Sequence, residues 1–174
     1  FDLEQTNSLV STGSGQQTQA GEVTSQGIEL EGSVQATEAL RLTAAYTYTD
    51  AKTNDTGNGD RQASLIPRHQ ASFWGNYKVQ QGPVSGLEVG TGVRYIGSSV
   101  GIGAVDANYN PIYGSAQVPA QTVWDAMIGY DFAKNWRAQV NVNNLLNDTY
   151  VASCDYYCYD GEPRSIVGSV NYRW

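Results

Sequence analysis

The sequence predicts an all-β protein, a transmembrane antiparallel β-barrel. Three observations lead there. About eight segments of roughly ten residues alternate apolar and polar side chains, the length a tilted strand needs to cross a bilayer. The connections between them alternate short and long. The last nine residues, Ile166-Val-Gly-Ser-Val-Asn-Tyr-Arg-Trp174, alternate to the end and finish on an aromatic side chain. A water-soluble protein rarely leaves such an apolar strand edge unpaired, whereas a closed barrel pairs its edges and seats aromatics at the lipid interface.

The segments follow in order. Phe1 to Val10 alternates briefly. Gln26 to Ala36 places Ile28, Leu30, Gly32 and Val34 against Glu29, Glu31, Ser33 and Gln35. Leu40 to Thr49 places Leu40, Leu42, Ala44, Tyr46 and Tyr48 against Arg41, Thr43, Ala45, Thr47 and Thr49. His69 to Val79 sets Ala71, Phe73, Gly75 and Tyr77 against Gln70, Ser72, Trp74, Asn76 and Lys78. Leu87 to Ile96 sets Val89, Val93 and Tyr95 against Glu88, Gly90, Gly92 and Arg94. Thr122 to Phe132 sets Trp124, Ala126, Ile128, Tyr130 and Phe132 against Asp125, Met127, Gly129 and Asp131. Trp136 to Val142 sets Trp136, Ala138, Val140 and Val142 against Arg137, Gln139 and Asn141, and Ile166 to Trp174 is the last segment. Side chains two apart share one face of a strand, so period two rather than 3.6 governs this chain.

Connections 35–40, 80–86 and 133–135 are short. Connections 11–24, 50–68, 97–121 and 145–164 are long and are expected to be extracellular loops, with both chain ends periplasmic. Tyr46 and Tyr48 fall towards the long-loop end. Phe132, Trp136, Tyr172 and Trp174 fall towards the short-turn end. These six are the expected interfacial aromatics.

Composition narrows the function. Charged residues make up 16% of the chain, below the roughly 25% of soluble domains, which agrees with a lipid-facing surface. A net charge of −7 without a basic patch argues against nucleic acid. No apolar run reaches the roughly 18 residues of a transmembrane helix. Cys154 and Cys158 suit an oxidising compartment such as the periplasm or cell surface. The chain opens in mid-pattern with no initiator Met or signal peptide, and reads as a piece of a longer polypeptide or a processed form. His69, the single histidine, has no nucleophile beside it and is expected at a strand rim, so no catalytic site is expected. Asp50, Asp55 and Asp60 are expected to be solvated charges rather than metal ligands. Gly97 to Gly103 lacks the Lys-Ser/Thr ending of a phosphate loop.

The stretch Asn141-Val-Asn-Asn-Leu-Leu-Asn-Asp-Thr-Tyr-Val-Ala-Ser-Cys154 resembles the near-terminal segment of TonB-dependent siderophore receptors. So do Cys158-Tyr-Asp-Gly-Glu-Pro-Arg164 and the final strand. Gly21-Glu-Val-Thr-Ser-Gln-Gly-Ile-Glu-Leu-Glu-Gly32, Leu42-Thr-Ala-Ala-Tyr-Thr-Tyr-Thr-Asp50 and Ile66-Pro-Arg-His-Gln-Ala71 agree, in the right order. The Val-Ala-Ser-Cys ending points to the ferrichrome and hydroxamate-siderophore branch.

The resemblance implies a bacterial outer-membrane barrel of about 22 strands, of which residues 1–174 supply the C-terminal eight. It implies a plug domain and a TonB box, both absent from this sequence. The implied partners are a ferric siderophore as transported ligand, the TonB complex, the remaining barrel and plug segments, and outer-membrane lipid; no cofactor is implied. It also implies a disulfide between Cys154 and Cys158, the alternative being a metal site for which one histidine is a poor complement. Tyr156 and Tyr157 are then the implied ligand contacts, with Tyr109 and Tyr113 as further candidates. A self-contained eight-stranded barrel with a structural or surface-binding role is the other reading. It requires Phe1 to Val10 to pair with Gly168 to Trp174, and Glu29, Glu31, Arg41, Arg94, Asp125 and Arg137 to pair inside.

Overall fold

The computed structural model of the chain describes residues 1–13, 16–55, 59–107 and 111–174, with residues 10–13, 16–18, 20, 55, 59, 111 and 113 described by backbone alone. The described residues form thirteen strands: β1 (Asp2–Gly13), β2 (Gln16–Gln35), β3 (Leu40–Asp55), β4 (Gly59–Gln62), β5 (His69–Lys78), β6 (Leu87–Ile96), β7 (Ser99–Val105), β8 (Pro111–Val118), β9 (Gln121–Ala133), β10 (Trp136–Asn143), β11 (Val151–Asp155), β12 (Tyr157–Asp160) and β13 (Ser165–Tyr172). Eight of them make one antiparallel wall in the order β1-β2-β3-β5-β6-β9-β10-β13, with β4 folded back on β3. A second sheet, β12-β11-β7-β8, stands at the long-hairpin end.

The register converts the sequence alternation into two chemically distinct faces. Leu40, Tyr77, Val89, Ile128, Val140 and Gly168 lie opposite one another across six strands. On the other face Lys78, Glu88, Gly129, Gln139 and Ser169 form a row across five. Cross-strand neighbours of this kind stabilise a sheet as pairs. The apolar face is open rather than covered: Ile128 is 50% exposed and Trp124 42%. The polar face is exposed over β2 and β13 and shielded around Asp125, which is 9% exposed. In water such an arrangement is inverted, because burying apolar area is the main driving force of folding. It is the arrangement of a wall whose exterior meets lipid and whose interior is polar.

The wall is open. β1 and β13 are its two edges, and no ladder joins Phe1–Val10 to Gly168–Trp174 among the described residues. The closure that a self-contained barrel requires does not form.

Residues 36–39, 79–86 and 134–135 form the short turns, as expected. In the first, Thr37 Oγ1 accepts from the backbone N–H of Leu40 at 3.0 Å. In the second, Gly82 and Gly86 take φ of +90° and +91°, values that side-chain-bearing residues rarely adopt. The long connections differ from the expected loops. Ser11 to Thr24 is mostly strand, because β1 and β2 remain hydrogen-bonded out to Gly13 and Gln16. Segment 50–68 extends β3 to Asp55 and returns as β4. Segments 97–121 and 145–164 hold the hairpins β7–β8 and β11–β12. Backbone pairing, rather than an apolar pattern, satisfies the peptide groups there.

Buried side chains gather at this end. Ala51, Ala63, Ile102, Val118, Val123 and Cys154 are the buried apolar residues, with Ser99, Asp125 and Asn144 as buried polar ones. The well-packed part of the chain is therefore the base of the long hairpins.

Candidate ligand-binding rim

Cys154 and Cys158 face each other across the β11–β12 ladder and form a disulfide with Cα atoms 4.0 Å apart. The pair pinches off Asp155-Tyr156-Tyr157. Tyr156 turns the chain with φ of 61°, and its backbone N–H donates to the Ile102 carbonyl at 2.8 Å. Asp155 pairs in parallel with Ile102, so the hairpin tip lies along β7. Close approach requires Gly101, where a Cβ would stand 2.2 Å from the Cys154 carbonyl oxygen. The β7–β8 hairpin is tied in turn to the connection after β4, through the Leu65 N–H and the Val100 carbonyl at 2.7 Å. The long hairpins thus form one continuous rim.

Tyr156, Tyr157 and Tyr159 stand out from this rim, 51%, 75% and 58% exposed. The backbone of Tyr113 in β8 lies opposite Ile102, so Ile102 has the disulfide hairpin on one side and Tyr113's strand on the other. Tyr109 lies outside the described residues. The expected ligand contacts Tyr156, Tyr157 and Tyr113 are therefore brought to one region.

The expected interfacial aromatics fall at two heights. At the long-hairpin end, Tyr46 and Tyr48 flank His69, whose ring centre is 6.2 and 5.2 Å from theirs. The Tyr46 hydroxyl and His69 Nδ1 share a hydrogen bond of 2.9 Å, which places the histidine on the apolar face at a strand start. At the short-turn end, Phe132, Trp136 and Tyr172 form a continuous ring contact, with centres 6.3 and 4.9 Å apart. Trp174 follows β13 and is fully exposed. Asp50 is paired with Lys52 and Arg68, both at 3.2 Å, and Asp60 accepts from Asn54 at 2.9 Å.

The polar face carries linked charges. Arg137 reaches Glu88 at 2.5 Å and Asp131 at 3.2 Å. Asp131 also binds Lys78 at 2.8 Å, and Asn76 donates to Glu88. Nearer the rim, Arg94 grips Asp125 through Nε at 2.6 Å and Nη2 at 3.1 Å. Glu29 and Glu31 stay exposed on β2, and Arg41 donates to Gln35 at 3.2 Å. The six charges that a small closed barrel must neutralise therefore do not pair as a set.

Two residues gain roles that alternation did not signal. The Trp74 ring lies over Gly90 and Gly92, where added Cβ atoms would come within 2.7 and 2.2 Å of it. Asn144 is 2% exposed and ties the base of the disulfide hairpin. The available sign of Asn144 was the Asn-Asn pair before a turn, since asparagine tolerates the left-handed backbone; its φ is 51°.

The family described as TonB dependent receptor-like, beta-barrel matches residues 1–145. The ferrichrome outer membrane transporter/phage receptor of Escherichia coli K12 is 36% identical over 183 residues, covering 100% of this chain and 23% of that protein. The ferrioxamine B receptor of Salmonella typhimurium LT2 is 39% identical over 162 residues, covering 88% of this chain and 22% of that protein. Among solved structures, the ferric-catecholate import receptor Fiu of E. coli K12 in its closed form superposes with a TM-score of 0.74 at 28% identity, over 98% of this chain and 24% of that one. The chain thus spans about a quarter of the length of the relatives it matches. An exposed apolar face, an open eight-stranded wall and these matches together identify the chain as a section of barrel wall belonging to the TonB-dependent receptor β-barrel family of the outer membrane.

Proposed function

We propose that residues 1–174 are the C-terminal wall and rim of a TonB-dependent outer-membrane receptor that binds and imports a ferric siderophore, of the hydroxamate class. The observation that carries this reading is the disulfide-closed hairpin, which holds Tyr156, Tyr157 and Tyr159 exposed at the rim. Tyrosine offers a rigid aromatic face and one hydroxyl, the combination that ligand sites use to enclose a compact ligand and orient it. The relatives named for ferrichrome and ferrioxamine B supply the ligand class.

The long hairpins face the exterior in this reading, and the short turns face the periplasm. The polar face lines a lumen that a plug domain elsewhere in the parent chain occupies, and a TonB box there engages the energy-transducing complex. Passage of the siderophore requires that plug to rearrange. The ferric siderophore is cargo, and the chain needs no cofactor. The role is binding and passage rather than catalysis. His69, the chain's one histidine, supports this, since its Nδ1 is hydrogen-bonded to Tyr46 on the lipid-facing side.

The test is a titration of the purified full-length receptor with ferrichrome and with a ferric catecholate, followed by intrinsic fluorescence. Tight ferrichrome binding is expected, weakened roughly tenfold by the double substitution Tyr156→Ala and Tyr157→Ala. Preference for the catecholate contradicts the ligand class. Unchanged ferrichrome affinity in the double variant contradicts the rim assignment.

A further inference from the structure

We propose that Asn144 is the positioning residue of the disulfide hairpin, and that Asp125 anchors it to the lumen wall. The inference rests on the rim being the ligand-binding surface and goes beyond it by naming what sets that surface in place.

The geometry runs in a chain from lumen to rim. Arg94 on β6 holds Asp125 on β9 through two nitrogen–oxygen contacts of 2.6 and 3.1 Å. Asp125 Oδ1 also accepts the backbone N–H of Asn144 at 3.0 Å. The Asn144 side chain then closes the base of the hairpin. Its Nδ2 donates to the carbonyls of Asp148 at 2.8 Å and Glu162 at 3.0 Å, and its Oδ1 accepts the Asp148 N–H at 2.9 Å. Asp148 lies before β11 and Glu162 after β12, so one amide spans the entry and exit of the hairpin. Asn147 adds a second tie, accepting the Arg164 N–H at 3.1 Å.

Asn144 is the largest fully buried side chain among the described residues. A buried amide is tolerated only where its donors and acceptor are matched, and here each is. Other residues cannot substitute readily. The backbone at φ 51° excludes most side chains. Glycine accepts that backbone but supplies no clamp. Aspartate accepts it too, but sets an oxygen against two carbonyl oxygens. Beside this clamp the hairpin is held by Cys154, buried in β11, and at its tip by β7, where Asp155 pairs with Ile102 and the Tyr156 N–H donates to the Ile102 carbonyl; β12 has no buried side chain. The clamp fixes the base of the hairpin, and β7 its tip, so the clamp helps set where the backbone of Tyr156 and Tyr157 stands.

The test uses the full-length receptor in detergent, with Asn144→Gly and Asn144→Asp compared with wild type. Hydrogen exchange read by mass spectrometry is expected to quicken about tenfold in peptides covering 151–160, the size of effect that follows loss of buried hydrogen bonds. Peptides covering 136–142 and 166–172 are expected to exchange as in wild type. Ferrichrome affinity is expected to fall by about the same factor. If Asn144→Gly protects the hairpin like wild type, the residue serves only as a left-handed turn and the proposal is overturned. If exchange quickens equally in the wall strands, Asn144 is a wall residue and the proposal is likewise overturned. Asn144→Asp keeps the backbone preference and one acceptor, so it decides the matter if the glycine variant does not assemble. The exchange measurement needs no ligand. Failure of wild type to bind ferrichrome would refute the receptor reading while leaving this one to stand or fall on exchange alone.

Discussion

At the scale of single residues, two kinds of contact matter, one in the hairpin sheet and one on the wall. One is close approach across glycine. A methyl group at Gly101 would overlap the backbone oxygen of Cys154, which cannot move without its strand. Gly101→Ala is therefore expected to lift the disulfide hairpin from β7 and to quicken exchange of the Tyr156 amide, with the wall strands unaffected. The other is the polar-face ion network. Arg137 bridges Glu88 and Asp131, and its side chain is only 18% exposed. Arg137→Ala leaves Glu88 without its cation in a partly desolvated place, and a loss of about 1–3 kcal/mol is expected in equilibrium unfolding of the detergent-solubilised receptor. A variant as stable as wild type would mean that water in the lumen screens the network fully.

At the scale of elements, the wall strands were legible where they carry a period of two, which β3, β5, β6, β9 and β10 do over most of their length. Leu40, Tyr77, Val89, Ile128 and Val140 occupy one row because each belongs to the apolar set of its own segment. The hairpins were less legible. Segments 97–121 and 145–164 are rich in Gly, Asn and Tyr, and their pairing depends on neighbours that sequence order does not reveal. The outer half of β1 and β2 was missed for a related reason. The sequence there is mostly Thr, Ser and Gln with no apolar alternation, and the backbone ladder persists without an apolar signature. For the rim, the cysteines and tyrosines were visible as residue types. Asn144 was not, because its partners Asp125 and Glu162 are joined to it only by the register. The face assignment yields a direct contrast. Ile128→Lys places a charge on the lipid face near mid-strand and is expected to cost about 2–4 kcal/mol of stability in lipid vesicles. Met127→Lys, one residue away on the lumen face, is expected to cost far less. Equal costs would contradict the two-faced wall.

At the scale of the molecule, eight strands make an open wall with two edges, β1 and β13, unpaired with each other among the described residues, rather than a closed barrel. Unpaired edges are templates for association. Residues 1–174 alone are expected to refold into aggregates, without the compact, heat-sensitive band that a closed barrel gives in detergent electrophoresis; such a band from a monomer would restore the eight-stranded alternative. A barrel wall of this kind must turn its apolar face to lipid. The most direct measurement places a spin label at each position from 126 to 130 and 138 to 142 of the full-length receptor in outer-membrane lipid. Cys154 and Cys158, being paired, do not compete for the label. Access of oxygen, which concentrates in lipid, is expected to peak at Ile128, Tyr130, Ala138 and Val140. Access of a polar nickel chelate is expected to peak at Met127, Gly129, Gln139 and Asn141 if the plug admits water, and in no case at the first set. Oxygen access that peaks at the polar set, or that fails to alternate, would contradict the account.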